Sequence, residues 1–193
     1  MGLKSLLKKI AGTKEQEEET VDIERQTVNY KDAHNIGILF SSSHEENHKA
    51  INYFVKLLQK DGKKIHVLAY FEEKHTNPFD FRFDFFTKQD IDSHGRVQCL
   101  QANEFMEKRF DYLYCINPQH LGYFEYILHR SQAKCRVGKY HPESVGSFEL
   151  MINTLDSADT VDLILQMLHY TKGLITHNSG GSTKKPKKKV TTS

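Results

Sequence analysis

The segment His44-Glu45-Glu46-Asn47-His48 matches H-E-x-x-H, the spacing that sets two imidazoles one helical turn apart around zinc while the Glu activates water. Its surroundings point elsewhere. The segment directly follows an apolar run, carries the charged Glu46 where zinc proteases have an uncharged residue, and is followed by no third ligand at a recognisable spacing. Ser41-Ser42-Ser43 with Glu45 and Glu46 behind them instead make a helix start, hydroxyls capping the first amides and carboxylates meeting the positive end of the helix dipole. No metal is therefore expected at His44 and His48, and no cofactor is expected.

The same turn bears on nucleotides. A dinucleotide site needs G-x-G-x-x-G here so that backbone can approach the diphosphate. Phe40 to Glu46 holds no glycine and two acids, and no Walker A sequence occurs. Serine hydroxyls at a helix start can still hold a small anion.

Nucleophilic chemistry finds little support. Cys99, Cys115 and Cys135 are odd in number and lack C-x-x-C spacing, which argues against a disulfide framework or structural zinc and for a reducing compartment. Cys115 and Cys135 fall in apolar runs, where Cys acts as a small hydrophobe. Of eleven histidines, His66, His129 and His169 fall within regular elements and read as packing or surface residues. Asn117-Pro118-Gln119-His120 follows the run Tyr112–Ile116 at its carboxyl end, where open α/β sheets bind ligands. A pocket on that side would be lined by Ser42, Ser43, His44, Asn117 and His120. Arg82 among the aromatics Phe79 to Phe86 could stack bases, but Asp80 and Asp84 oppose this, and strand pairing explains the alternation.

These groups need a scaffold, and the apolar pattern supplies one. Ile36–Phe40 is an unbroken apolar strand and Ile65–Tyr70 a second strand, joined by a helix whose stripe is Ala50, Ile51, Phe54, Val55, Leu57 and Leu58 and which stops at Asp61-Gly62. That βαβ unit is followed by a strand within 78–86, a helix over 101–109, strand Tyr112–Ile116, helix Leu121–Arg130, strands Cys135–Gly138 and Phe148–Ile152, and a helix ending at Lys172-Gly173. The alternation predicts an α/β fold: a three-layer, mainly parallel Rossmann-like sheet with flexible charged ends. The predicted organisation is a basic amphipathic helix over 1–12, an acidic linker and lead-in over 13–33, the α/β domain over 34–176 and a disordered basic tail over 177–193.

The charge is concentrated at the ends. The first fourteen residues carry +4, the lysines from Lys184 to Lys189 carry +5, and residues 15–173 are left with −7 of a total of +2. An acidic body is no nucleic-acid platform, and sequence-specific DNA binding is not expected. Lys4, Lys8, Lys9, Lys184, Lys185, Lys187, Lys188 and Lys189 could contact ribosomal RNA or an anionic membrane without sequence preference. No run reaches the roughly 18–20 apolar residues that span a bilayer, and no signal peptide is read. The expected location is the cytoplasm, with peripheral attachment to the inner membrane as the alternative the basic ends allow.

Asn35-Ile36-Gly37-Ile38-Leu39-Phe40, Gly62-Lys63-Lys64-Ile65, Phe110-Asp111-Tyr112-Leu113, Ala133-Lys134-Cys135-Arg136-Val137-Gly138 and Glu149-Leu150-Met151-Ile152, in that order, resemble a family of small Rossmann-like Bacteroidota proteins with no assigned activity. The resemblance covers roughly residues 30–173. The order is also similar to the N-terminal half of heptosyltransferase-like glycosyltransferases, which share a Y/F-D-x-x strand, a helix and an A-x-x-R-V-G strand. That similarity implies the fold more than the reaction. Those enzymes hold the sugar nucleotide mainly in a second domain, for which this chain has no room, and their Gly-Asp acceptor turn is replaced by Ser42-Ser43-His44.

The sequence therefore leads to a non-catalytic binding or adaptor protein that docks an unknown protein partner. One alternative is a small-molecule enzyme acting on a sugar or phosphorylated substrate at the carboxyl-end loops. Another is a peripheral membrane- or ribosome-associated factor that uses the basic ends.

Overall fold

The computed structural model describes residues 23–42, 45–72, 83–117, 119–155 and 158–174. The helix read over 1–12 and the tail over 177–193 lie outside them. In chain order the elements are β1 (Asn35–Ser41), α1 (Glu45–Lys60), β2 (Lys64–Phe71), β3 (Asp84–Thr87), α2 (Leu100–Glu107), β4 (Tyr112–Ile116), α3 (Gly122–Arg130), β5 (Cys135–Lys139), β6 (Leu150–Ile152) and α4 (Thr160–Gly173). The six strands form one sheet in the order β3-β2-β1-β4-β5-β6, and every neighbouring pair is parallel. The chain winds outward from β1 in one direction, then from β4 in the other. The β1–β4 boundary is therefore the switch point of a Rossmann-like sheet.

Strand periodicity divides the core in two. Ile36, Ile38 and Phe40 of β1, with Tyr112, Tyr114 and Ile116 of β4, face α1 and α4. Leu39, Leu68, Leu113 and Cys115 face α2 and α3. Side chains alternating across a strand covered on both sides give the continuous apolar runs seen in the sequence. α1 ends at Gly62, whose φ of +74° is a conformation glycine adopts at little cost, and the Lys63 amide closes the turn on the Leu58 carbonyl at 3.0 Å.

The sheet's two ends differ in kind. The amino-terminal end is closed by residues 25–34, a stretch that gives no periodicity in the sequence. Arg25 donates to the carbonyls of Ala133 (2.6 Å), Ser131 (3.1 Å) and His129 (3.2 Å), at the carboxyl end of α3 and just beyond it. The Tyr112 hydroxyl donates to the Val28 carbonyl. Tyr30 and Ala33 are buried in the α1/α4 layer, and the buried Lys63 ammonium donates to both their carbonyls at 2.6 Å. Asp61 accepts from the Tyr30 hydroxyl and pairs with Lys172 at the far end of α4, each at 2.7 Å. The lead-in is thus packed onto the body.

At the other margin, the run Phe148–Ile152 forms a strand only from Leu150. The Phe148 ring lies over Gly138, where a Cβ would sit 2.3 Å from it. The Glu149 carboxylate is taken by Arg136, accepting from its backbone amide (2.7 Å), Nη2 (2.7 Å) and Nε (3.1 Å). This half-buried bidentate pair ties the β5–β6 connection back to β5.

Candidate functional site

The carboxyl end of the sheet holds the polar groups that are not spent on closing the fold. Ser42 follows β1; its amide donates to the Tyr70 carbonyl at 2.9 Å. Its Oγ is shielded from solvent and meets no hydrogen-bonding partner among the described residues. Ser43 and His44 lie outside the described residues. Across the switch point, Asn117 is buried and its amide nitrogen donates to the Gln119 carbonyl at 2.6 Å, shaping the turn that presents His120. Register sets Phe40 opposite Ile116, so Ser42 and Asn117 leave the sheet on neighbouring strands.

His120 meets residues that the sequence did not single out. Its Nδ1 lies 3.0 Å from Ser144 Oγ and 3.5 Å from Glu125 Oε1, and its Nε2 lies 3.7 Å from Glu143 Oε2. The His141 ring stacks on it at 5.4 Å between centroids and 17° between planes. Ser147 Oγ donates to Glu125 Oε1 at 3.0 Å and also lies 3.0 Å from His129 Nε2. The signal that could have found His141 and Glu143 is the one that found His120: both follow a strand's carboxyl end, that of β5.

Ser144, His120 and Glu143 share residue types with a hydrolase triad, but the arrangement does not work as one. Ser144 is 5% exposed, so its hydroxyl is out of a substrate's reach, and Glu143 is beyond hydrogen-bonding distance of the ring. Burial, with Glu125 adding to it, pushes the nearby Cys115 thiol far up, so it stays protonated. Cys135 is likewise pushed up to about 12 by burial first and by Glu149 second. Both cysteines behave as the small hydrophobes expected from sequence.

Among the described residues, two hollows open on this end. The one against Asn117, His120 and His141 has a volume of about 20 Å³, room for a water molecule or an ion. The other has about 400 Å³ and lies between the starts of α1 and α4, lined by Asn47, Ala50, Lys139, Thr154 and Thr160 among others. Thr160 Oγ1 donates to Asn47 Oδ1 at 2.7 Å, and Asp159 caps α4 by accepting from the Asp162 amide at 2.8 Å. Lys139 borders both hollows.

A family model matches residues 3–174, which take in the whole sheet and its carboxyl-end loops. The chain belongs to the DUF6913 family. DUF6913 is a family of unknown function, so membership brings no assigned reaction. No curated protein matches the chain. Among the described residues of this DUF6913 member, no helix is long and apolar enough to cross a membrane.

Proposed function

We propose that this chain is a non-catalytic binding protein that takes a small anionic ligand in the cleft between α1 and α4. The observation that carries the reading is the cleft of about 400 Å³ at the carboxyl end of the sheet, with Lys139 in its wall. Small-molecule sites span roughly 300–1,000 Å³ and occupy this position in open α/β sheets. Asn47 and Thr160 hold each other in place, which leaves a preformed polar wall. The described wall offers no thiol or imidazole, and Asp159 is committed to its helix cap. Binding without turnover is the chemistry these groups support.

Thermal shift and calorimetry with inorganic phosphate, sugar phosphates and nucleotides test this. A ligand at a hundred times its Kd should raise Tm by roughly 5–10 °C, and Lys139→Ala should remove most of that rise. Equal stabilisation of the variant, or none from any compound, would sink the reading.

A second reading, docking of a protein partner, is favoured by Val161 and Leu165. They lie one turn apart on α4 and are exposed, with exposed Leu155 ahead of them. Leu165→Glu should then abolish co-purification of a partner from the native host without altering anion binding. Unchanged co-purification would remove this reading.

A further inference from the structure

We propose that His120, His141 and Glu143 form a binding site for a divalent transition-metal ion, zinc foremost. One ligand atom from each lies within 4.8 Å of the other two. Two imidazoles with one carboxylate is a donor set suited to zinc, and three protein ligands leave a position open for water or an anion. The site rests on different residues from the cleft between α1 and α4, so either can fail alone.

The surroundings of His120 carry the inference. Ser144 Oγ and the Glu125 carboxylate both gather at Nδ1, at 3.0 and 3.5 Å. The Glu125 carboxylate, which can only accept, favours the proton on Nδ1 and leaves the Nε2 lone pair outward, the arrangement found behind metal-bound histidines. The outward Nε2 faces Glu143 Oε2 across 3.7 Å, too long for a hydrogen bond. A cation between them satisfies both. Zinc bonds of about 2.0–2.2 Å put neighbouring donors roughly 3.3 Å apart, so the group must tighten. Glu143, 69% exposed on its short 3-10 turn, has the freedom to swing in. His141 Nδ1 accepts from the Glu143 amide at 3.3 Å, and binding through either ring nitrogen gives up that long contact to an amide that water can reach. The ligands are braced from behind, because Arg136 and Glu149 fasten the connection that carries His141 and Glu143.

Titration of the full chain with zinc against a chromophoric chelator, and with cobalt read by its visible absorption, tests the site. The expected result is one equivalent bound, with cobalt bands of four- or five-coordinate strength. His120→Ala/His141→Ala should abolish binding, and Glu143→Gln, at an exposed position that leaves the fold intact, should weaken it about tenfold or more. His169→Ala, on the exposed face of α4, should bind as the parent does. Saturation that survives the double substitution, as zinc held by His44 and His48 would show, overturns the proposal. So does the absence of stoichiometric binding, or unchanged affinity in Glu143→Gln.

Discussion

Asp111 joins the starts of three strands through one carboxylate. Its Oδ2 accepts from the amides of His34 and Asn35 at 2.8 and 3.0 Å, and its Oδ1 pairs with Lys134 Nζ at 2.8 Å, beside the start of β5. Burial alone would raise its pKa, but the Lys134 ammonium and the two amides outweigh it and hold the group below the usual carboxylate range. Asp61 is held down in the same direction, by Lys172 first and by Tyr30 second. A carboxylate depressed in the folded state stabilises fully above its unfolded value, about 3.9, and that stabilisation fades as pH falls through the folded value. Acid unfolding should therefore set in below about pH 4. Asp111→Asn, which keeps the shape but loses the charge, should cost about 2–3 kcal/mol in urea melts at pH 7 and flatten the acid limb. A variant as stable as the parent would remove Asp111 from this role. The placement of Asn117 and His120 at the carboxyl end of the sheet was legible because an apolar strand ends just before them. His141 and Glu143 follow the carboxyl end of β5 in the same way, but β5 is a short strand interrupted by Arg136 and Gly138, so the end of its run is a weaker signal.

Between β5 and β6 the structure depends on how one ring meets one glycine. Gly138→Ala would drive a methyl group into Phe148, which has Arg136–Glu149 beside it and lines the hollow at His120. Overpacking of this kind costs about 1–3 kcal/mol, and Gly138→Ala/Phe148→Leu should recover part of it in denaturant titrations. A fully stable single variant would mean that the ring has room to move. The regular elements were the most legible level: β1, β2 and β4 announce themselves by apolar runs and α1 by its stripe and its glycine stop. β6 was read two residues too long, since Phe148 and Glu149 carry strand-like chemistry but are claimed by Gly138 and Arg136 instead.

At the scale of the whole molecule, one end of the sheet is sealed and the other is open, and the seal comes from residues that look like a linker. Arg25, Val28, Tyr30 and Ala33 contribute hydrogen bonds or buried surface to the body, and the buried Lys63 ammonium depends on two of their carbonyls. A chain beginning at residue 34 should lose about 3–5 kcal/mol relative to one beginning at residue 23, because the Arg25 and Val28 hydrogen bonds and the buried surface of Tyr30 and Ala33 would go with the deleted residues. Equal urea midpoints would show that the body stands without its strap. The lysines at the two ends, Lys4, Lys8, Lys9 and Lys184 to Lys189, make a separate proposal. Removing 1–12 and 178–193 should abolish salt-sensitive sedimentation with anionic vesicles or ribosomes, and sedimentation that persists would put the contact elsewhere. The closed end was invisible in the sequence because its bonds join an irregular segment to residues from about thirty to more than a hundred positions away, where neither periodicity nor composition leaves a trace. The sheet's outermost strands are also its shortest, four residues in β3 and three in β6. Each rim therefore exposes only a few free amides and carbonyls for a foreign strand to copy. A protein margined this way resists recruitment into growing cross-strand fibres, and concentrated solutions should age without seeding.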